Sequence, residues 1–226
     1  MLFVGIAFGA VDKRLVLPEE IYIVGLVLFV LVLNTRPVHG QGPAGDNHLI
    51  IRTDQPKETI NRNIYGHFAE HLGRCIYEGI YDPGSPHADA DGLRTDVLAA
   101  LREQAYTVIR YPGGNFVSAY DWRDGIGDRD KRPPRRELAW NGMESNDMGL
   151  DDFMTFCRLI GAEPYLAVNS WLGDAHSAGE EVEYVNGPAT SRMGRLRAAN
   201  GHPAPYGVKI WGVGNEMYGP WQWGHM

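Results

Sequence analysis

Residues 92–115 read GLRTDVLAALREQAYTVIRYPGGN, and the change of pattern inside this stretch decides the fold. Leu93, Val97, Leu98 and Leu101 recur at helical spacing over residues 92–104, with Asp91 as a candidate N-cap. Residues 107–111 are β-prone and are stopped by Pro112-Gly113-Gly114. A helix that runs straight into a strand is half of a βαβ unit. Working outward, residues 63–68 read as a short strand ending in a polar turn. After a long loop, residues 151–160 place Phe153, Phe156, Cys157 and Ile160 on one helical face. Gly161 caps that helix and residues 164–168 form the next strand. Residues 180–185 and 193–199 are helical candidates, and residues 208–213 make a fourth strand closed by Gly214. The alternation predicts a parallel sheet.

Composition sets the limits around this core. The 226 residues are 44% hydrophobic and 22% charged, which excludes a disordered tail, a collagen-like rod and a small disulfide scaffold. A formal charge of −7 argues against a general nucleic-acid binder. Cys75 and Cys157 lack CxxC spacing, so they are expected as buried free thiols rather than zinc ligands. Residues 1–40 differ from the rest. Residues 21–33 are an apolar run of 13, short for a bilayer but suited to a signal-peptide core, with a cleavage point plausible before Gln41. An uncleaved anchor touching the membrane, or a start placed too far upstream, would read similarly. Export follows if the leader is genuine, and a cytoplasmic location otherwise.

In parallel α/β folds, chemistry gathers at the carboxyl ends of the strands. Glu70 and His71 follow the first strand. Arg110 ends the second and leads to Asn115. Asn169 follows the third, and Asn215 and Glu216 follow the fourth. Carboxylates, carboxamides and a guanidinium at four neighbouring ends suit the hydroxyls of a sugar. Trp122, Trp140, Trp171, Trp211, Trp221 and Trp223 add flat faces for its ring. Glycoside hydrolysis needs a carboxylic acid at the leaving oxygen and a second carboxylate across the ring. Glu216, directly after a strand and beside Asn215, is the candidate acid/base. That role requires burial and a nearby carboxylate, so that it holds and releases a proton near the working pH.

Several strings resemble the α-L-arabinofuranosidases of glycoside hydrolase family 51. They are Ile64-Tyr65-Gly66-His67-Phe68-Ala69-Glu70-His71-Leu72-Gly73-Arg74 with Ile76-Tyr77-Glu78-Gly79-Ile80-Tyr81, then Ile109-Arg110-Tyr111-Pro112-Gly113-Gly114-Asn115-Phe116, Tyr120-Asp121-Trp122-Arg123-Asp124-Gly125-Ile126-Gly127 and Gly214-Asn215-Glu216-Met217. The resemblance implies a (β/α)8 barrel with an appended β-sandwich and a retaining mechanism that releases terminal non-reducing α-L-arabinofuranosyl residues from hemicellulose or oligosaccharides. It implies Glu216 as general acid/base, Asn215 on the sugar 2-OH, and Glu70, Arg110 and Asn115 shaping the pocket, with no cofactor. The nucleophile is implied on a later strand, beyond residue 226. A closed barrel needs roughly 250 residues, so about the first four β/α units are expected. The organisation is then a leader over residues 1–40, a linker and possible sandwich strand over 41–60, and half a barrel over 61–226. The partner is an arabinofuranosyl-containing saccharide, and a full-length protein could form a homo-oligomer. Asp128 and Trp171 depart from the family's pattern, and Trp171 beside Asn169 could narrow the cleft.

Three other readings compete. A truncated, inactive carbohydrate-binding fragment needs only Glu70, Asn115 and Asn215. A zinc peptidase would use His67-x-x-Glu70-His71, a spacing that works only on a helix. Lys131, Arg132, Arg135 and Arg136 suggest a phosphate patch, but their acidic and proline neighbours favour a solvated loop over the cleft.

Overall fold

A computed structural model describes residues 49–222 and 224. The expected leader over residues 1–40 and Trp223 lie outside the described residues. The chain divides into residues 1–57 and 58–226. In the first unit, the described residues are exposed, form no strand and make a turn from Arg52 to Gln55 with an Arg52–Asp54 ion pair. Residues 49–60 thus carry no strand where a sandwich strand was expected.

The second unit is built on a four-stranded parallel sheet in the order β1-β2-β5-β6, comprising β1 (His67–Phe68), β2 (Val108–Tyr111), β5 (Glu163–Val168) and β6 (Ile210–Val213). The register runs His67–Ile109, Arg110–Tyr165 and Tyr165–Ile210. A small antiparallel pair, β3 (Arg135–Arg136) with β4 (Met143–Glu144), stands in the loop after β2. Helix α1 (Thr95–Glu103) joins β1 to β2 and α2 (Leu150–Ile160) joins β2 to β5. Helices α3 (Ala175–Asn186) and α4 (Arg192–Ala199) join β5 to β6. Parallel neighbours require such crossovers, and the helical stripes supply the core. Phe153, Phe156 and Ile160 of α2 pack with Ile109 and Tyr111 of β2, Leu166 of β5 and Leu98 of α1 in one cluster. Burying each such side chain contributes about 1.5–3 kcal/mol.

Local chemistry explains where the elements depart from expectation. The strand expected over residues 63–68 shrinks to two residues, because Asn61 accepts a hydrogen bond from Asn63 N (2.9 Å) and starts a 3-10 turn. Asp91 does not cap α1. Asp89 instead accepts from Asp91 N and Leu93 N at 3.0 and 2.9 Å, closing a turn one step earlier. Helix α3 starts at residue 175, ahead of its apolar stripe, since the Asp174 carboxylate accepts from Ser177 N at 2.7 Å. Helix α2 ends as expected at Gly161, whose φ of 75° is the left-handed stop that glycine adopts without strain. Cys157 is buried, but Cys75 is exposed in the turn after Leu72, so only one thiol matches the expectation.

Two buried acids sit among these helices. Asp151 accepts from the Tyr184 and Tyr206 hydroxyls at 2.7 Å each, tying α2 to α3 and to the segment before β6. Glu181 on α3 is buried, and burial pushes its carboxyl up to about 8, with the nearby Arg123 opposing. The folded chain therefore keeps a proton that the unfolded chain, near 4.5, releases. Stability should fall as pH rises through this window. Glu181→Gln should flatten the fall when melting temperature is measured from pH 5 to 8, and an unchanged slope contradicts the assignment.

Candidate active site

The site is assembled where β1, β2 and β6 end. Arg110, at the third position of β2, points its guanidinium to the sheet's carboxyl edge. Its Nη2 donates to Asn215 Oδ1 at 2.6 Å and to Gly113 O at 2.8 Å. Asn215 Nδ2 donates in turn to Asn115 Oδ1 at 3.1 Å. Three side chains expected at two strand ends thus form one connected chain. Phe68 of β1 lies under the guanidinium, 4.6 Å from ring centroid to Arg110 Cζ.

Glu70 lies against the Gly113-Gly114 turn. A Cβ on Gly113 would stand 2.3 Å from Glu70 Cγ, and one on Gly114 would stand 3.2 Å from each carboxylate oxygen. Gly113 also has φ of 143°, a region that side chains avoid. Gly113→Ala should therefore expel Glu70 or strain the turn, costing about 1–3 kcal/mol, with Gly114→Ala milder. Thermal denaturation of the two variants checks the order, and equal stabilities would contradict it. Oε1 of Glu70 and Nε of Arg110 are buried with no hydrogen-bond partner among the described residues. Unpaired buried polar atoms cost free energy, so the strand ends hold unused hydrogen-bonding capacity beside the turn.

Glu216 follows Asn215 in the left-handed region, at φ of 48°, after Gly214 at 67°. Such backbone is costly for a side-chain-bearing residue and concentrates at functional turns. The bend carries Asn215 inward, buried at 8% exposure, and Glu216 outward. The enclosure expected around Glu216 is absent among the described residues. Its carboxylate is exposed and accepts from Trp221 Nε1 at 2.8 Å.

Asn169 does not join the chain. Its Nδ2 donates to Tyr120 O and its Oδ1 accepts from Trp171 N, both at 2.9 Å, which holds the loop after β5. The tryptophans divide as well. Trp122 is buried against Tyr184, and Trp211 is half-buried with its Nε1 donating to Val208 O. Neither offers a face to a ligand, whereas Trp140 and Trp221 are exposed.

The helix that a zinc peptidase needs is not there. His67 lies on β1 and stacks on Tyr106, and His71 sits in a bend between Glu144 and Tyr111. The basic cluster is also not a solvated patch throughout. Arg132 is buried against the Asp152 carboxylate at 2.6 Å and donates to Gly127, Asn146 and Asp147 carbonyls. Arg135 pairs with Asp124 and Lys131 with Asp128. Sequence reading missed Glu144, a buried carboxylate whose partners lie far away along the chain.

Comparison with known proteins completes the picture. The family described as "Alpha-L-arabinofuranosidase 1 domain" matches residues 100–223. The chain is 52% identical over 172 residues to α-L-arabinofuranosidase C of Emericella nidulans, covering 76% of this chain and 34% of that protein. It is 47% identical over 188 residues to an intracellular exo-α-(1→5)-L-arabinofuranosidase of Bifidobacterium longum, covering 83% and 33%. Among solved structures, a thermostable family 51 α-L-arabinofuranosidase from Thermotoga petrophila matches with a TM-score of 0.73 at 54% identity, over 74% of this chain and 35% of that one. One from Bifidobacterium longum matches at 0.72 and 51%, over 73% and 33%. The chain spans about a third of the length of the curated relatives it matches.

Proposed function

The chain belongs to the α-L-arabinofuranosidases of glycoside hydrolase family 51, and we propose that it serves the retaining hydrolysis of terminal non-reducing α-L-arabinofuranosyl residues from hemicellulose or oligosaccharides. The observation that carries this reading is the Arg110–Asn215–Asn115 chain beside the unpartnered Glu70 oxygen. Together they offer the donors and acceptors that a furanose ring's hydroxyls need. In this reading the four parallel strands are consecutive staves of a (β/α)8 barrel. Among the described residues both outer strands of the sheet have a free edge, and further strands of a closed barrel would pair them.

Glu216 acts at the rim of this pocket. As the acid it protonates the departing glycosidic oxygen, and as the base it takes a proton from the incoming water. The partner carboxylate stands roughly 5–5.5 Å away in a retaining enzyme and comes from a later strand of the barrel. Asn215 is placed by Arg110 to hold the 2-OH, a bond that tightens as the oxocarbenium-like transition state forms. Glu70 accepts from a further hydroxyl. Release of p-nitrophenol from its α-L-arabinofuranoside, with a product of retained configuration by proton NMR, supports the reading. An inverted product contradicts the retaining mechanism.

One observation favours a second reading, a chain that binds the sugar without turning it over. Glu216 is exposed and its recorded partner is an indole rather than a carboxylate. Calorimetric binding of an arabinofuranosyl oligosaccharide with no release of product would select that reading.

A further inference from the structure

His71 follows Glu70 directly, yet its ring is held by groups from three other segments. Nδ1 lies 2.8 Å from Glu144 Oε2 on β4, and Nε2 lies 3.0 Å from the Tyr111 hydroxyl at the end of β2. Tyr111 in turn donates to Met148 O at 3.0 Å. The flat face of the imidazole stacks on Phe116, 4.5 Å away at 16°. Tyr120 and Tyr77 close the remaining sides, with ring centroids at 6.1 and 5.6 Å. Glu144 is fully engaged as well, accepting from the Tyr77 hydroxyl and, at 2.7 Å, from Asn146 N. Burial raises the Glu144 carboxyl, but bonding to His71, Tyr77 and Asn146 outweighs it and holds the group below the ordinary carboxylate value.

The ring and its stacking partner each adjoin a residue of the pocket. His71 is bonded covalently to Glu70, and Phe116 to Asn115. Phe116 and Glu144 also line one cavity of about 330 Å³ between the loop after β2 and the β3–β4 pair. A ring wedged between Glu144, Tyr111 and Phe116 has little room to rotate, so it sets the separation of the segments it touches. We infer that His71 is a positioning residue: clamped by Glu144 and Tyr111, it holds Phe116, and thereby Asn115, at a fixed distance from Glu70. The pair also ties β4 to the strand ends, so the loop after β2 and the sugar pocket move as one body. A buried polar contact of this kind contributes specificity of geometry more than stability.

The consequence for catalysis rests on the proposed function, but the geometry does not, and the test separates them. The full chain, labelled with ¹⁵N, is compared with Glu144→Gln and Phe116→Leu by the side-chain amide resonance of Asn215, which bonds Asn115. The amide of Asn186, bonded to Val208 remote from the pocket, is the control. The clamp predicts that Asn215 shifts in both variants while Asn186 stays, and that kcat/KM falls about 10²-fold, the cost of a misplacement near 1 Å. Melting temperatures report folding. If Glu144→Gln does not fold, Phe116→Leu decides alone, since it leaves the His71–Glu144 contact intact. An unmoved Asn215 resonance in a folded variant overturns the clamp. Moved resonances in a chain without hydrolytic activity uphold the clamp and count against the proposed function only.

Discussion

In the assembled barrel that supplies the partner carboxylate, Glu216→Gln is expected to lower turnover of p-nitrophenyl α-L-arabinofuranoside by about 10²–10⁴-fold, the contribution of a positioned acid and base. The substitution keeps the shape and the bond from Trp221 Nε1, so it removes proton transfer and little else. The nitrophenolate departs without much help, so the loss should fall on the second step, where water must surrender a proton. Azide attacks without surrendering one. Adding it should restore turnover of the variant and yield the glycosyl azide, with no effect on melting temperature. A variant that retains full activity would remove Glu216 from the mechanism. So would a loss that azide leaves untouched.

Arg197→Met should destabilise the fold by about 3–5 kcal/mol, the summed penalty for leaving several buried carbonyls without their charged donor. Arg197 of α4 is fully buried at 0% exposure. Its guanidinium donates to His202 O at 2.9 Å, Pro203 O at 3.2 Å and Val185 O at 3.4 Å, and to Tyr184 O. These carbonyls belong to the end of α3 and to the turn that leads into β6. Methionine fills much of the volume but leaves three of these acceptors without a donor, since Val185 O still accepts from Tyr206 N. For a domain of this size the melting temperature should fall by roughly 6–20 °C. Arg197→Lys should recover only part of it, because one ammonium cannot span carbonyls on both sides of the fork. A fall under 2 °C in Arg197→Met would show that water replaces the guanidinium and that the turn does not depend on it.

The strands and helices were legible where one local signal dominated. Val108, Ile109 and Tyr111 are β-branched or aromatic and the run ends at Pro-Gly-Gly, and residues 150–160 carry a single apolar stripe ended by glycine. At residues 63–68 two signals conflicted, and the Asn61 side chain won over the β propensity of Ile64 and Tyr65. The pocket was legible in part for the same reason. Arg110, Asn115 and Asn215 sit at strand ends, where topology alone brings them together. Asn169 occupies an equivalent place but spends both ends of its amide on its own loop. Burial was the least legible property. Trp122 and Arg132 read as a sugar platform and a solvated charge, yet both are enclosed, as is Arg197. Their partners lie on distant segments or are backbone carbonyls, which leave no mark in the sequence. Glu144 escaped notice because its partner His71 lies 73 residues away.

The central claim is that the ends of β1, β2 and β6 form one arabinofuranosyl pocket, and calorimetry tests it most directly. The Glu216→Gln chain, which spares the ligand, is titrated with an arabinofuranosyl oligosaccharide, alone and with Arg110→Met added. Removing Arg110 leaves Asn215 Oδ1 and Gly113 O without their donor, a loss of about 1.5–3 kcal/mol, or roughly 10–150-fold in affinity. The account predicts saturable one-to-one binding, weakened by that factor while the chain stays folded. Absence of binding, or binding that ignores the loss of Arg110, would contradict it.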